Sequence, residues 1–179
     1  MLKMPFCKFD TVNRVLVRVA AGLYLVAGAL GMSLGAFAAP ARETLQYFEG
    51  SWHCDGVFPS TGRKISAALI FTWYPQTGST VKQHDDEAPN HFHAVELWAV
   101  STEGFKNTIA DASGGVRTYT STGWDNGVLT WNGGGDQTHK ERFVYTRINV
   151  DSMRMDFTVS KNDMPFVIGD TLTCSRVNR

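Results

Sequence analysis

Turn signals punctuate this chain at intervals that leave no room for a long helix. They recur roughly every 8 to 12 residues, the spacing of an all-β barrel or sandwich. They are Pro59-Ser60-Thr61-Gly62, Pro75-Gln76-Thr77-Gly78, Ala88-Pro89-Asn90, Thr102-Glu103-Gly104, Ser113-Gly114-Gly115, Asp125-Asn126-Gly127, Gly133-Gly134-Gly135-Asp136, Asn149-Val150-Asp151 and Lys161-Asn162-Asp163. The segments between them are rich in β-branched and aromatic residues, and the clearer ones alternate at period two. Met153, Met155, Phe157 and Val159 are separated by Arg154, Asp156 and Thr158, and Phe143, Tyr145 and Arg147 by Val144 and Thr146. Asn126-Gly127, between Tyr119–Trp124 and Val128–Trp131, is a tight-hairpin signal because both residues accept the positive φ of a type I′ turn. A helical turn over 42–49 is the one exception to a run of about ten strands. Short connections make the sheet antiparallel. So long a meander has two edges unless it closes, so the expected fold is all-β, a closed up-and-down antiparallel barrel.

Closure makes the first and last strands neighbours. Setting Cys54 opposite Cys174 also sets Trp52 opposite Arg176, and opposed residues share a face of the sheet. The two cysteines then form a disulfide or remain two buried thiols, beside an arginine stacked on an indole. Such stacking contributes about 0.5–2 kcal/mol. A disulfide closing so long a loop contributes up to about 4–5 kcal/mol in the chain-entropy picture.

The start of the chain has a different character. Met1 to Arg18 carries a basic excess, and Val19 to Phe37 is small and apolar, ending in Ala36-Phe37-Ala38. This is the pattern of a signal peptide over 1–38, followed by a domain over 39–179 of an exported bacterial protein, periplasmic or secreted. The alternative is an uncleaved anchor, since about 19 apolar residues just span a bilayer. The glycines, the alanines and the small-x-small ending favour cleavage, which leaves no membrane span. Gly31-Met32-Ser33-Leu34-Gly35 matches the G-x-S-x-G of serine hydrolases, but it sits in this leader and not on a strand-turn-helix corner. Cys7 departs with the leader, and a lone remaining cysteine pair suits an oxidising compartment. Without the leader the chain has 13 basic and 16 acidic groups, a formal charge of −3. That balance offers no general attraction for nucleic acid.

Gly50-Ser51-Trp52 at the head of the first strand, with Arg176 on the last, resembles the signature of the lipocalin-like (calycin) barrels. The stretch from Leu45 through Phe48 and Glu49 to Cys54 is similar to exported bacterial families of that group without assigned function. The resemblance implies a barrel with an internal cavity open at one end, closed at its base by Trp52 and Arg176 and stapled by Cys54–Cys174. Nitrobindin-type barrels of the same broad group hold haem through one His. Their Gly-x-Gly and Tyr-Pro elements are replaced here by His53-Cys54-Asp55-Gly56-Val57-Phe58-Pro59, and the last strand has no His, so no cofactor is expected.

Aromatic side chains are the main functional clue. In a small barrel about half of them point inward, so Trp73, Phe92, Trp98, Tyr119, Trp131, Phe143 and Tyr145 are cavity candidates, as is Glu96, which shares a face with Phe92 and Trp98. They either line a pocket for a small apolar molecule or pack the barrel solid. Glu96 in such company is either ion-paired or raised in pKa. A second cluster flanks the Glu87-Ala88-Pro89-Asn90 turn. If that hairpin is centred between Ala88 and Pro89, His84 faces His93 and Asp86 faces His91, four side chains on one surface with ligand types suited to zinc or copper. A one-residue slip would scatter them over both faces. Nothing sets any two of Glu96, Asp111, Asp125, Asp136 and Glu141 at a general acid/base separation, and no nucleophile motif lies outside the leader, so no catalytic residue is assigned. The expected function is binding of a small hydrophobic ligand. The rivals are a protein-interaction or inhibitor module with a filled barrel, and a metal-binding barrel using His84, Asp86, His91 and His93.

Overall fold

The computed structural model describes residues 38–101, 104–134 and 138–177, with side chains from Arg42 onward. The leader with its serine motif lies outside these residues, as do Thr102, Glu103, Gly135 and Asp136. A short helix α1 (Ala38–Leu45) runs into a 3₁₀ turn (Gln46–Phe48), and all that follows is strand. The strands are β1 (Gly50–Phe58), β2 (Arg63–Tyr74), β3 (Ser79–Asp86), β4 (His93–Ser101), β5 (Gly104–Asp111), β6 (Val116–Ser121), β7 (Trp124–Asp125), β8 (Val128–Gly133), β9 (His139–Asn149), β10 (Ser152–Lys161) and β11 (Val167–Arg176). No helix among the described residues is long and apolar enough to cross a membrane.

The sheet closes as expected. Consecutive strands pair antiparallel from β1 to β6 and from β7 to β11, β1 pairs with β11, and β6 pairs with β8 across the two-residue β7. Ten strands therefore form the wall, and β7 is a stub of the hairpin that ends in Asn126-Gly127. Those two residues take φ of 48° and 81°, the positive pair that the turn type requires. The expected strand from Tyr119 to Trp124 is interrupted at Thr122–Gly123, so β6 stops at Ser121.

The two ends of the chain meet in the anticipated register. Trp52 stands opposite Arg176 and Cys54 opposite Cys174, and the cysteines are joined in a disulfide. The guanidinium of Arg176 lies 4.1 Å from the Trp52 ring. It also donates to the carbonyls of Tyr47 at 2.8 Å and Glu49, holding the 3₁₀ turn against the barrel base. Gly50 at that corner has φ +109°, a conformation L side chains avoid, and a Cβ there would reach within 3.4 Å of the Arg176 guanidinium. Above it, Leu45, Phe48 and Trp52 are fully or almost fully buried, and the Trp52 indole donates to the Phe48 carbonyl at 2.8 Å. The helical start thus plugs this end of the barrel.

One expected register is corrected. The β3–β4 loop is closed by the Asp86 N–H donating to the Phe92 carbonyl at 2.9 Å, which encloses five residues, Glu87 to His91. An odd-numbered loop is centred on Pro89, not between Ala88 and Pro89. Pairing is therefore Asp85 with His93 and His84 with Ala94. Because strand side chains alternate, this single step turns His93 to the opposite face from His84.

Candidate ligand-binding cavity

The barrel interior divides into a solid half and an open half. Toward the plug, Phe48, Phe71, Trp98, Trp131 and Tyr145 form an aromatic cluster with neighbouring ring centroids 5.0 to 5.4 Å apart, mostly edge to face. All are buried. Trp124, half-buried beside them, stacks on Phe48 at 5.3 Å and donates its indole N–H to the Thr44 carbonyl. These rings pack directly on one another.

A buried polar layer roofs this cluster. Lys82 Nζ donates to Glu96 Oε1 at 2.6 Å and to Tyr145 Oη at 2.9 Å. The other Glu96 oxygen accepts from Trp98 Nε1 and Asn107 Nδ2, each at 2.8 Å. Burial on its own would raise the Glu96 pKa, but the Lys82 charge and the hydrogen bonds from Lys82, Trp98 and Asn107 outweigh it, and the carboxyl is held below its ordinary value. Glu96 is therefore the ion-paired carboxylate of the two alternatives that its sequence setting allowed. The Tyr145 hydroxyl is pushed up by burial and by Glu96, so it remains a phenol.

Above that layer lies a cavity of about 190 Å³. Phe58 of β1, Ile65 of β2, Phe92, Phe143 of β9, and Met155 and Phe157 of β10 give it apolar walls. Phe143 and Phe157 are 5.0 Å apart, and Phe92 meets the His84 ring edge to face at 5.1 Å. Four ionisable residues complete the lining: His84 and Asp86 of β3, Arg117 of β6 and Asp170 of β11. His84 Nε2 is 3.0 Å from Asp86 Oδ1, both side chains almost wholly buried. Burial, and then the Lys82 charge, depress the His84 pKa against the opposing pull of Asp86. The ring is thus a neutral imidazole, with Nε2–H donating to the carboxylate. The Asp170 carboxyl accepts no hydrogen bond and meets no cation at ion-pair distance among the described residues. Burial, with Asp86 and Asp156 nearby, raises its pKa from 3.8 to about 6. Arg117 is shared between Asp111 at 3.1 Å and Glu141 at 3.4 Å, and Tyr119 Oη donates to the same Glu141 carboxylate at 2.6 Å.

Of the cavity candidates named from sequence, Phe92 and Phe143 line this space. Trp98, Trp131 and Tyr145 belong to the solid half, Glu96 to the polar layer, and Tyr119 packs behind Phe143 at 5.3 Å. Trp73 lies toward the plugged end of β2, beside Gly50 and Ser51. Trp98, Trp131 and Tyr145 are away from the cavity because inward side chains at that level of the barrel are used to fill the base. The four-residue His/Asp set is not assembled. His84 and Asp86 face the cavity, whereas His93 is exposed on the outer face, 2.9 Å from Asp85, and His91 is exposed in the loop. No group of three or more His, Cys, Asp or Glu suited to a metal occurs among the described residues.

Sequence reasoning missed Lys82, Arg117 and Asp170. Strand parity carries the signal for all three, Arg117 sharing the inward parity of Tyr119 and Ser121 on β6. Lys82 has the parity of His84 and Asp86, and Asp170 that of Leu172, Cys174 and Arg176, all inward.

No protein-family model matches the chain, and no curated protein sequence matches it. Among solved structures it is similar to Rv2717c from M. tuberculosis, with a TM-score of 0.50 at 15% identity over 78% of this chain and 98% of that one. It also matches a de novo designed fluorescence-activating β-barrel, with a TM-score of 0.40 at 13% identity over 75% of this chain and 97% of the design. A third match is EF1p2_mFAP2b bound to DFHBI, with a TM-score of 0.39 at 13% identity over 76% and 98% of the two chains. The Rv2717c likeness bears on the fold alone, a closed antiparallel β-barrel, and agrees with the closure seen in the strand pairing.

Proposed function

We propose that the chain is exported and that, with residues 1–38 removed, the domain over 39–179 is a lipocalin-like barrel binding one small molecule inside its wall. The observation that carries this reading is the division of the interior: a solid base, an ion-paired polar layer and an apolar-walled cavity above it. A protein-interaction barrel has no use for an unfilled half, because an empty apolar space forfeits dispersion contacts and lowers stability. The size restricts the occupant. An engineered cavity of about 150 Å³ accepts benzene, so a space of about 190 Å³ suits a ligand of one ring or a short chain. Export is supported by the leader pattern and by the Cys54–Cys174 bond, which persists in an oxidising compartment.

Filling the space tests the reading. Toluene bound to the mature protein, followed by NMR shifts of residues around Phe143 and Met155, is expected to be excluded by Ile65→Phe. If the two proteins take up toluene equally, the cavity is not the binding site. N-terminal sequencing of protein from the native host is expected to begin at Ala39.

A further inference from the structure

The cavity is unusual in its charge. Its walls are aromatic, yet two carboxylates open onto it, from Asp86 and Asp170 on separate strands. Among the described residues, the buried and half-buried cations that approach them are already committed. Lys82 is bound to Glu96 and Tyr145, and Arg117 lies between Asp111 and Glu141. Asp156, behind Asp170, is held by Arg154 at 2.8 Å and by the Thr171 hydroxyl. His84 is neutral and satisfies one oxygen of Asp86. What remains is a second oxygen on Asp86 and the whole carboxyl of Asp170, facing rings whose π-faces also carry negative potential.

We propose that the occupant is a small organic cation, a protonated amine on a single ring or short apolar stem, with its ammonium held by Asp86 and Asp170 and its body against Phe58, Phe92, Phe143 and Phe157. The inference rests on the cavity reading above and deepens it. An ammonium supplies the donors that these carboxylates lack. It also gains from aromatic faces when desolvated, the combination used wherever proteins recognise alkylammonium groups. An apolar or anionic occupant would displace water from these carboxylate oxygens without supplying donors, so it binds more weakly than an ammonium of the same size. The one feature suited to an anion is Arg117 Nε, buried and without a hydrogen-bond partner among the described residues. Its guanidinium is nonetheless held between two carboxylates.

Titration calorimetry on the mature protein with three matched probes, benzylammonium, benzyl alcohol and benzoate, decides the matter. At pH 7.5 benzylammonium is expected to bind about tenfold or more tighter than the alcohol, the ordinary gain of a charge-assisted hydrogen bond, with benzoate weakest. The charged and titratable groups around Asp170 are Lys82, His84 and Asp86 from β3 and Arg117 from β6 inside the barrel, with Asp156 of β10, paired to Arg154, on the outer face behind it. Below about pH 6 Asp170 takes up a proton and loses its pull on a cation. A proton gained by His84 adds repulsion in the same sense. The amine-to-alcohol affinity ratio must therefore fall from pH 7.5 to pH 5 in the unmodified protein. Asp170→Asn is expected to narrow the gap between amine and alcohol several-fold by weakening the amine, and a cooperative urea unfolding transition reports that the variant folds. Binding of benzyl alcohol or benzoate as tight as that of the amine, or a ratio flat with pH, overturns the cation while the cavity stands. Failure of all three probes to bind sinks the cavity reading and this inference together.

Discussion

Asp170 and His84 face the same cavity but respond to acid in opposite senses. The Asp170 pKa is raised in the fold from 3.8 to about 6, so between those values the folded protein binds more protons than the unfolded chain. Stability from this group therefore declines as pH rises through that window, and its full cost is present at neutral pH. Asp170→Asn is expected to stabilise the protein by about 1–2 kcal/mol at pH 7.5 and to change little at pH 4, measured by urea unfolding at both. An equal gain at both pH values would mean the carboxylate is not the source. His84 is depressed below 6.5, so its contribution is present above that pH and lost as pH falls through the folded value. The two dependences partly cancel, and the asparagine variant should lose stability more steeply on acidification from pH 7 than the parent does. At this scale the sequence was legible where a residue's role depends on near neighbours. Glu96 among Phe92, Ala94 and Trp98 announced a carboxylate in need of a partner, but nothing local showed that the partner was Lys82, which reaches it across the β3–β4 pairing.

Hairpin chemistry decided register wherever a turn has one good solution. Asn126-Gly127 takes positive φ at both positions and pairs Asp125 with Val128, as the dipeptide required. A side chain at Gly127 would meet nothing closer than Arg147 Cβ at 4.0 Å, so the cost of adding one lies in the backbone and not in packing. Gly127→Val is expected to lower stability by about 1–2 kcal/mol, the strain of a β-branched residue in the left-handed region. Chemical denaturation measures it, and an unchanged midpoint would show that the turn relaxes freely. The Glu87–His91 loop shows the opposite case. Its sequence, with Pro89 near the centre, fits four enclosed residues as well as five, and the backbone bond from Asp86 to Phe92 selects five. The difference of one residue disperses the four-ligand set.

At the scale of the molecule, stability depends on joining chain ends that are far apart in sequence. Cys54 and Cys174 are 120 residues apart, and their bond, with Arg176 over Trp52, closes the barrel where its first and last strands meet. Replacing both cysteines with serine is expected to cost up to about 4–5 kcal/mol in the chain-entropy picture. It should also allow β1 and β11 to exchange amide hydrogens faster than β3 and β4. Thermal melts with and without reductant check the magnitude, and coincident melts would show that pairing alone closes the barrel. The plug formed by Leu45 and Phe48 belongs to this scale too, because it fills one end and leaves the cavity at the other.

The amino-acid order by itself determined the antiparallel meander, the places of its turns, the Asn126-Gly127 hairpin and the register that joins its ends. Each follows from local propensity, period-two alternation and the fixed arithmetic of opposed residues. Which inward side chains fill the barrel and which surround empty space was decided only in three dimensions. Period two assigns a side chain to the inside but says nothing of how far along the barrel axis it lies, or of what the helical plug already occupies. For the same reason Trp98 and Phe143, alike in sequence as inward aromatics, have different places: one in the packed base, the other on the wall of the cavity.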